Sequence, residues 1–274
     1  MFGFFKNLFS RKPAELKLGI ALGSGGAKGF AELGILKAFE ENDIAFDYIA
    51  GTSIGSIIGA FYADGYSVTD IVEMLKKIDF SEIKNIFMLN MDTSGLFSVI
   101  DREIGSLDFE ELKKPFRSVA TELESGEEKV FSKGNVAITL CASSSYPPFF
   151  KPVIIDGKRY IDGAFSNSVP ADVVREMGAD YVVGVDLSSH VTKSSFLSKL
   201  FPTYEGKVKE PWKKGYDNSD IMLNPPLADF KPTSISSAGI MYDIGYSLAI
   251  ENMPKIKKDI AELKNNYKKR KNKR

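Results

Sequence analysis

The fold of this chain is constrained above all by two consecutive units, each a predicted strand followed by a glycine loop and a helix. Residues 16–22 form an apolar run that ends in glycines, and apolar residues then recur at helical spacing over 30–39. The pattern repeats where an apolar run at 47–50 meets the G-T-S-I-G sequence of residues 51–55 and a second helical pattern. The sequence therefore predicts an α/β fold with a mostly parallel sheet covered by helices on both sides.

Further elements fit this alternation. Ser67 is a candidate cap for a helix that reaches residue 78, and residues 117–123 and 129–131 flank an E-S-G-E turn typical of a hairpin. Residues 159–161 and the apolar run 181–185 are predicted strands.

The segment from 190 to 237 carries five prolines, and only residues 221–223 resemble a strand. We expect it to cover a site. Residues 240–251 predict a final core helix, and the helical spacing continues beyond 256 into the basic tail. These patterns predict a basic, aromatic N-terminal segment over residues 1–13, a main domain over 14–254 and a basic C-terminal helix or tail over 255–274.

Composition limits the class of protein. The chain has 274 residues, 43% of them hydrophobic, and its 36 basic residues balance 36 acidic ones, which does not favour nucleic acid as a partner. A lone cysteine, Cys141, excludes an intramolecular disulfide framework and is expected to pack in the core. We find no secretory signal and no run long enough to span a bilayer, and expect a cytoplasmic protein.

Both chain ends are basic. The first twelve residues also include Phe2, Phe5 and Phe9, which would share one face of a helix. Such a segment, together with the Lys- and Arg-rich tail from residue 264, could hold the protein at an anionic membrane. The alternative is a frayed terminus and a solvated tail, and the sequence does not separate the two interpretations.

The strongest chemical signal is Ser53 in the G-x-S-x-G pattern of residues 51–55. Small neighbours allow the sharp turn that exposes a nucleophilic serine between a strand and a helix. The helix that follows would direct N–H groups toward a developing anion. The pattern alone is weak, but an apolar run precedes it and a helical pattern follows it, as a nucleophile requires.

A second glycine loop, G-S-G-G-A-K-G at residues 23–29, invites a nucleotide-binding interpretation. It fails both nucleotide templates, because the dinucleotide fingerprint needs glycine at Lys28 and the P-loop needs glycine at Ala27. What remains is a row of small residues before a helix, whose backbone N–H groups could form an oxyanion hole. Lys28 could anchor the loop or attract an anionic head group, although an isolated lysine is usually a solvated surface charge.

Ser53 needs a group that accepts its proton, and histidine is the usual acceptor, so we consider histidine first and then a carboxylate. The one histidine, His190, lies at the end of a predicted strand and is expected to be an exposed loop residue. Asp162 follows a strand-like segment and precedes Gly163, which suits a carboxylate at the end of a strand but also an ordinary Asp-Gly turn. An aspartate would need burial and direct contact with the serine, because its ordinary pKa of about 4 makes it a poor base.

Three ordered motifs, residues 23–29, 51–55 and 162–164, together resemble those of the patatin-like phospholipases over about residues 16–251. The resemblance implies a three-layer α/β/α fold, a Ser-Asp dyad without histidine and an oxyanion hole in the glycine loop. Ser24 and Ala164 replace glycines that are common in relatives, and both are small. The implied site comprises catalytic Ser53 and Asp162, oxyanion residues Gly25, Gly26 and Ala27, and supporting Gly23, Lys28, Gly29, Gly51, Gly55 and Gly163.

The resulting hypothesis is a serine acyl hydrolase that cleaves a lipid ester through an acyl-enzyme, with no metal or other cofactor. The alternative is a lipid-binding or regulatory protein that keeps the hydrolase fold without turnover. The intact Ser53, Asp162 and glycine loop favour the enzyme. The lipid class, the acyl-chain length and the oligomeric state do not follow from the sequence.

Overall fold

The structure is a computed structural model, and it describes residues 15–77, 94–188 and 208–271. The predicted N-terminal segment (1–13) and His190 lie outside these residues. The strands are β1 (Leu18–Leu22), β2 (Tyr48–Thr52), β3 (Phe116–Glu122), β4 (Glu128–Phe131), β5 (Val153–Ile155), β6 (Lys158–Asp162), β7 (Tyr181–Val185) and β8 (Ile221–Leu223). The helices are α1 (Phe30–Glu40), α2 (Ile54–Ala63), α3 (Val68–Lys77), α4 (Ser94–Ile104), α5 (Val136–Ser143), α6 (Ala171–Glu176), α7 (Lys213–Asn218) and α8 (Ala238–Lys271).

The described strands form one sheet in the order β5-β6-β3-β2-β1-β7-β8, with β4 also paired to β3. The pairs β3-β2, β2-β1, β1-β7 and β7-β8 are parallel. The pairs β3-β4, β3-β6 and β5-β6 are antiparallel. In β3-β4 and β5-β6 a short turn reverses the chain, which makes each pair a hairpin. The predicted mostly parallel sheet is confirmed. Of its antiparallel pairs, the sequence pattern predicted only the β3-β4 hairpin.

Helices cover both faces of the sheet, which confirms the three-layer α/β/α architecture. Alternate residues of β1 point into different layers, since Ile20 packs in the larger core and Ala21 in the smaller one. The larger core includes side chains of α1, α2, α3, α5 and α8, and the smaller core includes side chains of α6. Cys141 is buried in the larger core, as expected.

Helix α8 extends the predicted core helix far into the basic tail. It runs from Ala238 to Lys271 and passes through Pro254 without a break at the predicted domain boundary. Ile256 and Ile260, beyond that boundary, are buried against the core. The helix packs along α1, the helix that follows the glycine loop. The C-terminal helix therefore supports the element that carries the loop.

Candidate active site

Ser53 lies at the turn between β2 and α2, in a conformation that few side chains adopt. Its φ of 56° is in the left-handed region, which costs energy for a residue other than glycine. A methyl group on Gly51 would come within 2.2 Å of the Gly55 carbonyl oxygen, and one on Gly55 within 2.4 Å of the Leu22 oxygen. Residues 51 and 55 must therefore be glycine, because backbone atoms leave no room for a side chain at either position.

Asp162, the last residue of β6, lies directly against Ser53. The Ser53 Oγ donates a hydrogen bond of 2.6 Å to Asp162 Oδ2, and the Ala164 N–H donates one of 2.8 Å to Oδ1. Asp162 reaches this position because β6 pairs with β3, where Asp162 lies opposite Ala120. Ser53 is 8% exposed and Asp162 only 1%. The hydroxyl therefore has a buried carboxylate as its acceptor, with no residue between them.

Burial changes the acid-base chemistry of Asp162. Desolvation raises its pKa from 3.8 to about 7, although the hydrogen bonds from Ser53 and from the Ala164 N–H act in the opposite direction. An aspartate with a pKa of about 7 holds a proton far more strongly than an exposed one, so it can accept the Ser53 proton near neutral pH. The poor basicity of ordinary aspartate is thus corrected by its surroundings.

This pKa predicts the pH profile of an Asp162-dependent reaction. The base must be ionised before it can accept a proton, so we expect the rate of ester cleavage at low substrate concentration to rise with pH and level off above about 7. The profile of kcat/KM for a neutral ester, measured between pH 5 and 9, tests this. A rate that is flat from pH 5 to 8 would exclude Asp162 as a titrating base.

The glycine loop lies beside the first turn of α2. A methyl group on Gly55 would lie 2.7 Å from the Gly23 oxygen, and one on Gly29 would lie 2.4 Å from Cγ1 of Ile54. Gly163, next to Asp162, is equally confined, because an added methyl would lie 2.3 Å from the Val119 oxygen. The three motifs therefore meet at one end of the sheet, around the Ser53 hydroxyl.

Most backbone N–H groups of the glycine loop already have acceptors. Ser24 donates to the Ser168 oxygen at 3.0 Å, Ala27 to the Pro232 oxygen at 2.7 Å and Lys28 to the Gly25 oxygen at 3.2 Å. Within the described residues, the N–H groups of Gly25 and Gly26 have no hydrogen-bond acceptor. Ala27, predicted as a third oxyanion donor, is therefore engaged by the Pro232 carbonyl in this structure, and two adjacent donors remain.

Lys28 is a buried residue, not a solvated surface charge. Its exposure is 8%, and burial lowers its pKa while the charge of Asp186 acts in the opposite direction. The expectation that Lys28 is a solvated surface charge is therefore wrong, since it is one of the buried residues of the 3-10 helix Gly26–Gly29.

Pro232, from the proline-rich segment, also packs against the glycine loop. A methyl group on Gly26 would lie only 2.6 Å from the Pro232 carbonyl oxygen. The segment of residues 190–237, predicted to cover a site, thus contacts the glycine loop through Pro232.

Ser143, at the end of α5, holds the backbone of Ser53. Its Oγ accepts the Ser53 N–H at 2.8 Å and donates to the Val119 oxygen at 2.6 Å. The Ser53 turn is also held by Thr52, whose Oγ1 donates to the Asn167 oxygen at 2.8 Å. The contacts of Ser143 and Thr52 join elements that are distant in the chain, so they carry no local sequence signal.

We expect Ser143→Ala to destabilise the fold by about 1–3 kcal/mol, because it leaves the buried Ser53 N–H without an acceptor. The control is Thr139→Val on the same helix, which removes only a hydroxyl bonded to the Val136 oxygen of its own helix. Urea unfolding of both variants measures the difference. A Ser143→Ala variant no less stable than Thr139→Val would contradict the anchoring role.

Comparison with known proteins agrees with this geometry. The family model of the patatin-like phospholipases matches residues 20–175, more than half of the chain, and this range includes the end of β1, the Ser53 turn and Asp162. The chain belongs to the patatin-like phospholipase family. This patatin-like chain is 28% identical to human patatin-like phospholipase domain-containing protein 6 over 273 residues, which cover 84% of the chain and 20% of the relative.

Two further relatives are similar to the chain in sequence, and two solved structures share its fold. It is 28% identical to the Drosophila melanogaster neuropathy target esterase sws (84% of the chain, 19% of the relative) and to an uncharacterized NTE family protein of Mycobacterium bovis (65% and 51%). VipD from Legionella pneumophila has a TM-score of 0.54 at 14% identity (87% of the chain, 66% of VipD). The type III effector protein ExoU has a TM-score of 0.52 at 13% identity (89% and 53%).

The patatin-like chain spans about a fifth of the length of the first curated relatives it matches. Among residues 15–77, 94–188 and 208–271, the search for a helix with the length and apolar character of a membrane span finds none. Of the chain ends predicted to contact an anionic membrane, residues 1–12 lie outside those described, whereas residues 264–271 form the end of α8.

Proposed function

We propose that this protein is a serine hydrolase of lipid carboxylic esters that acts through a Ser53-Asp162 dyad. The observation that carries the proposal is the 2.6 Å hydrogen bond from the Ser53 hydroxyl to a buried carboxylate whose pKa is raised to about 7. A nucleophilic serine needs an adjacent proton acceptor, and Asp162 meets both the geometric and the acid-base requirement.

The first half-reaction forms an acyl-enzyme. Asp162 accepts the proton of the Ser53 hydroxyl while Oγ attacks the ester carbonyl carbon. The carbonyl oxygen becomes an oxyanion, and the N–H groups of Gly25 and Gly26 stabilise it. The intermediate collapses when the bond to the leaving oxygen breaks, and that oxygen takes the proton from Asp162. The leaving group departs as an alcohol, and the acyl group stays on Ser53.

The second half-reaction releases the fatty acid. Asp162, again ionised, accepts a proton from water as the water attacks the acyl carbonyl, and the same two N–H groups stabilise the second oxyanion. Collapse returns the proton to Ser53 Oγ and frees the carboxylic acid. His190 has no part in either step.

An aromatic cluster beside Asp162 supports an apolar acyl group. Tyr146 lies 5.0 Å from Phe165 and 6.5 Å from Phe149 between ring centroids, and these side chains are half-buried. The cluster adjoins the dyad because the Asp162 N–H donates to the oxygen of Ser145, the residue before Tyr146. Partly exposed aromatic rings at this position are suited to contact with an acyl chain.

A panel of ester substrates tests the proposed function. Purified full-length protein is incubated with phosphatidylcholine and lysophosphatidylcholine vesicles, with a monoglyceride and with p-nitrophenyl butyrate, and fatty acid release is measured. We expect release from at least one lipid by the wild type and by His190→Ala. If folded protein releases no acid from any of the four and does not react with a fluorophosphonate, the chain is a non-catalytic member of its family.

A further inference from the structure

Glu32 is a fully buried carboxyl group that the proposed chemistry does not use. It lies on α1 at 0% exposure, and its chain neighbours Ala31 and Leu33 are also fully buried. Its Oε2 has no hydrogen-bond partner within the described residues. Burial raises its pKa well above the ordinary value, and the hydrogen bond from Gly23 only partly opposes this. An incompletely bonded buried carboxyl costs stability that an apolar side chain would not, so its presence calls for a function.

The contact that Glu32 does make is with the glycine loop. Side chains on an α-helix lean toward its N-terminus, and Glu32 is in the first turn of α1, directly after the loop. Its Oε1 therefore reaches back to accept the Gly23 N–H at 2.7 Å. Gly23 follows the end of β1 and is the first residue of the loop.

The other loop anchors described above come from main-chain oxygens, those of Ser168 and Pro232. Glu32 contributes a side-chain anchor, which a substitution can remove. With Gly23, Ser24 and Ala27 fixed, the Gly25 and Gly26 N–H groups between them keep a defined direction. A misplacement of catalytic groups by about 1 Å can cost about a hundredfold in rate.

We propose that Glu32 is a positioning residue for acyl transfer, because its carboxyl fixes the first residue of the glycine loop and thereby directs the Gly25 and Gly26 N–H groups toward the oxyanion. This inference rests on the proposed hydrolase function. It assigns to α1 a role in the reaction besides core packing.

The test compares two replacements of similar size in the full-length protein. Glu32→Gln keeps an acceptor oxygen for the Gly23 N–H, whereas Glu32→Met does not. We expect Glu32→Gln to retain kcat for p-nitrophenyl butyrate within about threefold, and Glu32→Met to lose about 10- to 100-fold in kcat with KM changed by less than about twofold. The rate of fluorophosphonate labelling should fall with kcat, because that reaction also develops negative charge on oxygen. Leu33→Met, a buried neighbour on α1, is the control for repacking.

A purely structural role predicts a different result, namely a lower melting temperature with kcat of the folded fraction unchanged. Folded Glu32→Met with wild-type kcat would overturn the inference, and so would an equal loss in Glu32→Gln. If Glu32→Met does not fold, Glu32→Asp decides, because its shorter side chain cannot span the distance to Gly23. Its kcat should fall at least about tenfold, and a folded variant with wild-type kcat would refute the role. An inactive wild type would instead contradict the proposed function itself.

Discussion

Ser53→Ala is expected to reduce ester cleavage by at least about ten-thousandfold, because the reaction loses its nucleophile and only oxyanion stabilisation and binding remain. The loss should appear in kcat for every substrate that the wild type hydrolyses. It should occur without unfolding, since the Ser53 N–H keeps its bond to Ser143 and the side chain becomes smaller. Circular dichroism and thermal unfolding verify the fold of the variant.

Ser118→Ala is the matched control for this experiment. Ser118 is a buried serine on β3 beside Gly51, and its hydroxyl has no hydrogen-bond partner in the described part of the chain. Its removal should leave kcat within about twofold of the wild type. Comparable activity of Ser53→Ala and Ser118→Ala would show that Ser53 is not the nucleophile.

Asp162→Asn is expected to reduce kcat/KM by at least about a thousandfold, because an amide cannot accept the Ser53 proton. The fold should survive, since the amide oxygen and nitrogen can still bond to the Ala164 N–H and to Ser53 Oγ. The control is Asp217→Asn on exposed α7, which should retain wild-type activity. If Asp162→Asn retained more than about a tenth of the wild-type rate, another group would have to be the base.

The same substitution should stabilise the protein at high pH. Because the pKa of Asp162 is raised in the folded state, the folded protein binds more protons than the unfolded chain between pH 3.8 and about 7, and stability falls as pH rises through this range. Asp162→Asn removes this penalty, so its free energy of unfolding should exceed that of the wild type by up to about 4 kcal/mol at pH 8 and by little at pH 4. Urea unfolding at both pH values measures it, and an equal difference at the two pH values would contradict the raised pKa.

Local patterns in the sequence predict the elements whose boundaries are marked by glycine and by regular apolar spacing. The units around β1 and α1 and around β2 and α2 have both signals, and the structure confirms them. Helices α5 and α6 were not predicted. The α5 sequence is apolar on all sides and rich in β-branched residues, and α6 has only six residues. Strand β5, with three residues, is too short for a period to appear.

Some residues of the candidate site have a local sequence motif, and others do not. Ser53 and Asp162 are 109 residues apart, and each has a local motif, so the sequence could nominate both. Ser143 and Pro232 act through contacts between distant elements, which no local pattern reveals. Glu32 did carry a signal, an acidic residue inside an apolar helix, but its significance depends on the position of Gly23. The burial of Lys28 and the raised pKa of Asp162 likewise arise only when the layers pack.

The dyad can be tested most directly by locating the reactive residue. Wild-type protein and Asp162→Asn are treated with a fluorophosphonate, digested and mapped by mass spectrometry, with the labelling rate followed over time. We predict one covalent adduct, on Ser53, that forms at least about a hundredfold more slowly in Asp162→Asn. An adduct on another residue, or labelling of Ser53 at the same rate without the carboxylate, would contradict a Ser53 nucleophile activated by Asp162.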